Sequence, residues 1–456
     1  MSTALRPDVD EASEWRADNR GGRWSRPAEM VARSWATSPG RLSIIAGGLV
    51  VLILLTGIAA GATAKYKSDT TTDLVEIHEP TAADVQRLYR ALSEADATAA
   101  SSLLAAGDEP IELRRRYEND IALAGPTLGI AALDRAGDPR IIKQIEIIGR
   151  QVPTYAGLVE TARTNSRQEL PIGGAYLRQA SHLMRTQILP AAERLYRIQL
   201  ERVAAERNSA ISFPYIATAL AVILLIALIM AQVQIRRLSK RRLNVGLVVA
   251  TVAIALGVAW SAVAMTAHAR LVGEGYEHGS SQVNMLADAR ITALQARADE
   301  LLTLVARGNG AAYEVEFSQL ARTLAGEGGH GGGTLRQASA AIADDEMAAD
   351  LRKAIGAAER WLNTHAEVRA YDDGGKYEEA VQLAIDTRRA GSSAVEFAAL
   401  DDHLGKAIAS GRQYFVNETV GGARALALLT MGLAVLALIA VAGVVSGVRQ
   451  RLREYR

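Results

Sequence analysis

The chain has 456 residues, no cysteine, 51 lysines and arginines against 50 aspartates and glutamates, and 49% hydrophobic residues. The near-neutral charge argues against a nucleic-acid-binding protein, which needs a dominant basic face, and the lack of cysteine excludes disulfides, thiol nucleophiles and thiolate metal sites. The hydrophobic residues are concentrated in four uninterrupted stretches, a distribution that is typical of a membrane protein.

The four apolar stretches predict transmembrane helices. They cover residues 42–64, 213–235, 243–266 and 425–448, and none of them contains Asp, Glu, Lys or Arg. A helix rises about 1.5 Å per residue and the hydrocarbon core is about 30 Å thick, so each stretch is long enough to cross it. The sequence therefore predicts an integral membrane protein with four transmembrane helices.

Basic residues next to the stretches predict the orientation. They are concentrated in the tail 1–41, in the link 236–242 and in the tail 449–456. Lysine and arginine near span ends are retained on the cytoplasmic side. We therefore expect a multi-pass protein of the cell (plasma) membrane with both termini in the cytoplasm, a disordered basic N-terminal tail, and two extracytoplasmic segments, 65–212 and 267–424.

The first outer segment has the pattern of an up-down four-helix bundle. Apolar residues advance by threes and fours from Leu74 to Leu103, which predicts a packed helix that continues from the first span. A second helix is predicted over 111–133, and a third runs to about residue 168 from an N-cap at Asp138 with Pro139 in the first helical position. After a break at 171–174, a fourth helix runs into the second span. Short loops between antiparallel helices are typical of such a bundle.

The second outer segment repeats this plan. Helical periodicity appears over 283–305 and 397–414, and shorter helices are predicted near 311–325, 345–371 and 376–389. Alternating β-branched residues, the pattern of strands, do not occur. The predicted fold is therefore all-α, with two extracytoplasmic four-helix bundles in tandem repeat.

The sequence contains little that points to catalysis. Its seven histidines lack the spacing of metal clusters, and it has no phosphate-binding loop, dinucleotide fingerprint or nucleophile elbow. We therefore expect no enzymatic activity, no cofactor and no metal.

One polar cluster surrounds the predicted turn at 169–174 and is a candidate docking site for a ligand or a partner. It comprises Tyr155, Glu160, Arg163, Asn165, Arg167, Tyr176 and Arg178. Arginine offers planar donors that match carboxylates. The alternative interpretation is a solvated helix end with intrahelical pairs, since Glu160 and Arg163 are three residues apart.

Candidate joints lie next to two of the spans. Pro214 is at the start of the second span, and Gly421 and Gly422 precede the fourth. Proline removes a helical hydrogen bond and paired glycines soften a helix, so these positions are candidate hinges. Ordinary kinks at the membrane interface are the alternative.

Parts of the first outer segment resemble a known family. A large helical bundle between two spans resembles the sensory modules of bacterial chemoreceptors and histidine kinases. More specifically, 88–102, 153–167 and 171–181 resemble actinobacterial four-span membrane proteins of the GlnX type. The resemblance implies an amino-acid-binding lipoprotein as the outer partner and a cytoplasmic serine/threonine kinase as the effector.

These features favour a transmembrane signal relay. The predicted cytoplasmic pieces are too short to hold a kinase, so the output is expected to pass to a separate protein, and isolated bundles of this kind often pair as homodimers. Because the predicted inner pieces carry an excess of basic residues, an anionic lipid surface or an acidic partner is expected there. A structural scaffold of the envelope and an accessory subunit of a transporter are the alternatives.

Overall fold

A computed structural model describes residues 38–105, 110–133, 138–239, 244–327, 332–342 and 344–454. Every regular element in these ranges is a helix, as the predicted all-α fold requires. The predictions for most of the N-terminal tail, for part of the link 236–242 and for the last two residues lie outside the described residues.

The helices are numbered here in chain order. They are α1 (Ser38–Asp73), π1 (Leu74–His78), α2 (Glu79–Leu104), α3 (Ile111–Ala122), α4 (Ala124–Leu133), α5 (Pro139–Arg167), α6 (Ile172–Leu183), π2 (Met184–Ile188), α7 (Leu189–Ile211), α8 (Tyr215–Ser239), α9 (Val245–Gly275), π3 (Tyr276–Ser280), α10 (Ser281–Val305), α11 (Ala311–Ala325), α12 (Thr334–Ala341), α13 (Asp345–Asp373), α14 (Tyr377–Ile385) and α15 (Ser393–Glu454).

The chain divides into two compact units. The span unit contains 38–66, 213–265 and 426–454 of the described residues. The head unit contains a first segment, 67–212, and a second segment, 266–425. The sequence predicted a bundle for each outer segment, and tertiary packing places both segments in one compact unit.

The span unit contains the apolar stretches. Among the described residues, four helices are long and apolar enough to cross a membrane, which indicates a multi-pass membrane protein. Most of their buried side chains form one core, with Ile53, Leu228, Leu247 and Val444 as members from the four chain stretches. A smaller cluster contains Ala64, Ala264, Leu426 and Leu429.

Glycines bring α9 and α15 close together inside the span unit. A Cβ at Gly443 would lie 2.6 Å from the carbonyl oxygen of Gly246, and one at Gly447 would lie 3.2 Å from the Gly246 Cα. Small residues four apart allow such close approach between membrane helices. At Gly61, by contrast, a Cβ would meet nothing within 4 Å.

In the first segment, most predicted helix ends agree with the structure. Asp138 caps α5, because its side chain accepts a hydrogen bond from the backbone N–H of Arg140 at 2.9 Å. The helix predicted over 111–133 is instead two helices, α3 and α4, which meet at Leu123. Pro126 explains this division, since proline lacks the N–H that would bond to the carbonyl of Ala122.

The second segment contains one helix that the sequence analysis missed. This is α12, which follows the glycine-rich stretch and is only eight residues long. A helix of that length has too few turns to display a clear period of 3.6 residues. Elsewhere the predicted positions of α11, α13 and α14 agree with the structure to within a few residues.

The two segments share a hydrophobic core. Helix α2 of the first segment packs against α10 of the second, and Leu88, Ile188 and Leu301 belong to one cluster of buried residues. Four further helix pairs complete the first segment. Helix α2 packs against α3 and α7, and α5 packs against α6 and α7. A second cluster around Trp361 belongs to the second segment alone.

Three π-helical turns occur in the described residues. Two of them, π1 and π2, are followed by Pro80 and Pro190, which cannot donate a backbone hydrogen bond. A widened turn is one way in which a helix accommodates such a missing donor. The third, π3, contains Gly279, where a Cβ would lie 2.8 Å from the Cβ of Phe415. Because π1 and π3 directly follow α1 and α9, each lies after a helix that contains an apolar stretch.

Candidate functional site

Two residues of the predicted docking cluster are buried. Tyr155 is completely buried, and its hydroxyl lies 3.4 Å from Oδ1 of Asp96. Arg163 is 5% exposed, pairs with Glu160 at 2.5 Å and places its guanidinium 4.3 Å from the centre of the Tyr117 ring. Neither side chain therefore offers a free surface to a partner in this conformation, and both stabilise the packing of the first segment.

The other cluster residues stay near the surface at the turn between α5 and α6. Arg167 is exposed, and Tyr176 and Arg178 are half-buried. The Asn165 amide donates to the carbonyl of Thr161 at 2.8 Å within its own helix. We call Arg167, Tyr176 and Arg178 the tip. They are accessible members of the predicted cluster next to this turn, and the side chain of Glu160 is also 47% exposed.

The candidate hinges have different surroundings. Pro214 lies in the break between α7, which ends at Ile211, and α8. Gly421 and Gly422 lie inside the unbroken helix α15, where a Cβ at Gly422 would lie 3.2 Å from Cγ2 of Val272 and 3.3 Å from Nδ1 of His268. Close packing is therefore a sufficient reason for glycine at 422.

A buried polar junction in the head unit lies at the end of α7. The Lys67 ammonium donates to the carbonyl oxygens of Ala210, at 2.7 Å, and Ser212, at 2.5 Å. Nε2 of His268 lies 3.3 Å from the same Ala210 oxygen. These contacts satisfy carbonyls that a helix end leaves without an intrahelical donor. The sequence analysis missed both side chains, because a single lysine or histidine after an apolar stretch is common.

The strongest polar contacts between the two segments are centred on Arg185. Its guanidinium pairs with Asp299 and, at 2.9 Å, with Glu316, both in the second segment. It also lies 3.6 Å from Asp96 of the first segment, which accepts a hydrogen bond from Ser181 at 2.7 Å. We call Asp96, Arg185, Asp299 and Glu316 the bridging cluster.

Burial dominates the protonation of two carboxyl groups in the bridging cluster, those of Asp96 and Asp299. It raises the pKa of Asp96, although Arg185 acts in the opposite direction. Burial also raises the pKa of Asp299 to about 7, again against the attraction of Arg185. A carboxyl group with such a pKa changes its charge near neutral pH, so the ion pair between the segments is sensitive to pH.

A second buried cluster stabilises the second segment. Fully buried Glu300 accepts hydrogen bonds from Trp361 Nε1 at 3.1 Å and Ser393 Oγ at 2.7 Å, and it pairs with Arg297. Nδ1 of His365 lies 3.2 Å from the same carboxylate. Burial alone would raise the pKa of Glu300, but Arg297, His365 and Ser393 lower it to about 2. Burial alone would lower the pKa of His365, but Glu300 and Glu314 raise it to about 9.

A cavity of about 460 Å³ lies between the two segments. Its walls come from α2 and α3 of the first segment and from α10, α15 and residues 385–387 of the second. Leu113, Leu294, Ile385 and Phe397 provide apolar surface. Its volume is within the range of small-molecule sites, about 300–1,000 Å³.

Charged side chains of both signs also line the cavity. They are Arg116, Arg290, Arg297, Lys406, Glu94, Asp401 and Asp402. Arg290 binds Asp401 through two hydrogen bonds of 2.5 and 2.7 Å. The Lys406 ammonium is 2.7 Å from Asp402. Glu94 pairs with both Arg90 and Arg116, the latter at 3.3 Å.

Sequence analysis did not find this cavity, because its lining residues come from parts of the chain that are far apart. Each charged residue alone has the pattern of an ordinary helix surface, as Asp402 and Lys406 show by their spacing of four. One local feature of the sequence is related to the cavity: Gly405 permits the guanidinium of Arg290 to lie over α15. A Cβ there would be 3.3 Å from Nη1.

Comparison with known proteins gives one match. Residues 70–208 match the family described as the actinobacterial sensor domain, and this range falls within the first segment. The match supports a sensor protein. No curated protein matches the chain. No solved structure matches it.

Proposed function

We propose that this chain is a transmembrane sensor and signal relay, in which the head unit receives an extracytoplasmic signal and passes it to a separate cytoplasmic effector. The sensor-domain match over residues 70–208 carries the proposal. The matched range begins inside α1, which runs from Ser38 to Asp73 and also contains the first apolar stretch. The sensor domain is therefore continuous with an apolar span.

Helical continuity supplies a physical route for the signal. Helix α15 is a single helix from Ser393 to Glu454 and contains both residues of the second segment and the fourth apolar stretch. A rigid element with two arrangements is a credible carrier of coupling between distant sites. The bridging cluster is a candidate switch, since a change in its charge alters the contact between the segments.

The partners in this proposal are an amino-acid-binding lipoprotein outside the membrane and a serine/threonine kinase in the cytoplasm. The resemblance of 88–102, 153–167 and 171–181 to four-span proteins of the GlnX type supports them. The tip is the proposed docking surface, because its arginines can pair with carboxylates of a partner. The proposal includes no catalytic role for the chain itself.

Site-specific photocrosslinking in membranes tests this function. A crosslinker replaces Tyr176 at the tip, and a matched crosslinker replaces Lys353, an exposed residue of the second segment. We expect position 176 to capture a binding protein in an amino-acid-dependent manner, and position 353 to capture none. Capture of envelope proteins at 176 regardless of amino acids would favour the scaffold instead, and loss of solute uptake on deletion of the chain would favour a transporter subunit.

A further inference from the structure

The cavity between the two segments has arginine donors that its own carboxylates do not occupy. Arg290 uses Nε and Nη2 to bind Asp401, while its Nη1 lies over Gly405. Arg116 is paired through Nε with Glu94, which it shares with Arg90. Nη1 of Arg290 and both Nη atoms of Arg116 therefore have no hydrogen-bond acceptor within the described residues.

The charges that line the cavity do not cancel. Four basic side chains face three carboxylates, and Glu94 must neutralise a second arginine, Arg90, from outside the lining. Arg297 is balanced separately by buried Glu300. Asp120 of α3 also interacts with Arg90 and Arg116, but burial raises the pKa of its carboxyl group to about 7. The positive charge around Arg116 and Arg290 is therefore only partly balanced by carboxylates of the chain, and a further anion would complete the balance.

The remaining wall is largely apolar, apart from Thr98, Ser101 and Thr387. Leu294 lies on α10 and Phe397 on α15, and both line the cavity together with Ile385, the last residue of α14. Apolar lining with a few placed polar groups is the usual composition of a small-molecule site. Arginine binds carboxylates in a planar, bidentate geometry, which a single ammonium group does not provide.

We infer that this cavity is a binding site for a small organic anion, with a carboxylate held by Arg116 and Arg290 and an apolar body against Leu294 and Phe397. Since the walls come from both segments, a bound anion would favour the arrangement in which the segments are packed together. The role of the bound anion as an input signal rests on the proposed function, whereas the binding of the anion to the cavity does not depend on it.

Titration calorimetry of the purified full chain in nanodiscs tests the inference. The probes are phenylacetate, its neutral amide phenylacetamide and the cationic phenethylamine. We expect one molecule of phenylacetate to bind per chain, with the amide at least about tenfold weaker, as the loss of charged hydrogen bonds predicts, and with no binding of the amine. Equal affinity for acid and amide, tighter binding of the amine, or no binding of phenylacetate would overturn the inference.

Two variants assign the binding to this cavity. Arg116→Gln is expected to weaken phenylacetate binding at least about tenfold, and because the side chain is 61% exposed, the fold should tolerate the change. Arg114→Gln is the matched control, since Arg114 is on the same helix and pairs with exposed Glu118. Equal affinity of the two variants would overturn the inference.

The outcome for the sensor function is separate. If phenylacetate binds to the cavity but crosslinking at position 176 does not depend on amino acids, the anion site stands and the relay fails. If crosslinking responds to amino acids while no probe binds, the relay stands and the anion site fails.

Discussion

Arg185 and Asp299 form an ion pair that joins the two segments of the head unit, with side-chain exposures of 19% and 1%. The pair is surrounded by further charge: Asp96 of the first segment lies on one side and Glu316 of the second on the other. Removal of one member of such a buried pair leaves an uncompensated charge. The stability of the joined segments therefore depends on this contact.

Arg185→Gln is expected to destabilise the head unit by about 3 kcal/mol, because Asp96 and Asp299 both lose their counter-charge. Asp299→Asn should have a smaller effect, since Arg185 keeps Asp96 and Glu316. Thermal unfolding of the purified chain measures both. The matched control is Arg197→Gln, whose exposed pair with Glu193 should contribute about 0–1 kcal/mol. An equal effect of Arg185→Gln and Arg197→Gln would contradict the assignment.

The pH dependence of stability follows from the two buried clusters. Glu300 has a pKa lowered from 4.5 to about 2, so its contribution is complete above pH 4.5 and is lost as the pH falls through 2. His365 has a pKa raised from 6.5 to about 9, so its contribution is complete below pH 6.5 and is lost as the pH rises through 9.

Asp299 adds a further loss of stability between pH 3.8 and about 7. Its pKa is raised from 3.8 to about 7, so the folded state binds a proton that the unfolded state has released between these values, and stability falls as the pH rises toward 7. We expect the melting temperature to be highest at mildly acidic pH. Melting curves from pH 3 to pH 10 check this, and Asp299→Asn should flatten the decline near neutrality. A maximum above pH 8 would be incompatible with these shifts.

Trp361→Phe is expected to cost about 1–3 kcal/mol, the range for removing a hydrogen bond to a buried charged group. The indole N–H is 3.1 Å from Glu300 and 3.0 Å from Ser393, and the ring is completely buried. Trp361→Ala also creates a cavity and should cost about 3–5 kcal/mol. Chemical unfolding of the two variants measures the difference. Identical midpoints for wild type and Trp361→Phe would show that the hydrogen bond contributes nothing.

Gly443→Ala is expected to destabilise the span unit by about 1–3 kcal/mol, a typical effect of overpacking. The new methyl group would lie 2.6 Å from the Gly246 carbonyl oxygen. Gly61→Ala is the matched control in another apolar helix, where the methyl group meets nothing within 4 Å. Unfolding of both variants in one detergent makes the comparison. Similar losses would argue against a close contact between α9 and α15.

Cysteine labelling tests the proposed orientation, because the chain has no cysteine of its own. Thr164→Cys and Arg237→Cys place single thiols at exposed positions in α5 and α8. A membrane-impermeant maleimide should label position 164 in intact spheroplasts and position 237 only after permeabilisation, as the positive-inside rule predicts. The reverse pattern would overturn the proposed topology.

Local sequence information was sufficient for most of the helices and for the apolar spans. Stretches without charge predict spans by length alone, and the Asp138–Pro139 pair marks the start of α5 correctly. These features depend on hydrophobic period, capping and residue composition, all of which act within one or two helical turns. The same information misplaced the helix end at Leu123, where Pro126 interrupts an otherwise helical pattern.

Only the tertiary structure decided which polar residues are buried and which of them contact each other. Arg163 and Tyr155 belong to a cluster that the sequence predicts as a docking surface, yet both are buried. Arg185 pairs with Asp299, which is 114 residues away along the chain. Helical periodicity tells which face of a helix is apolar but not which other helix covers it. Which helices cover each other is decided by packing between distant segments. The shared core, the bridging cluster and the cavity all depend on this packing.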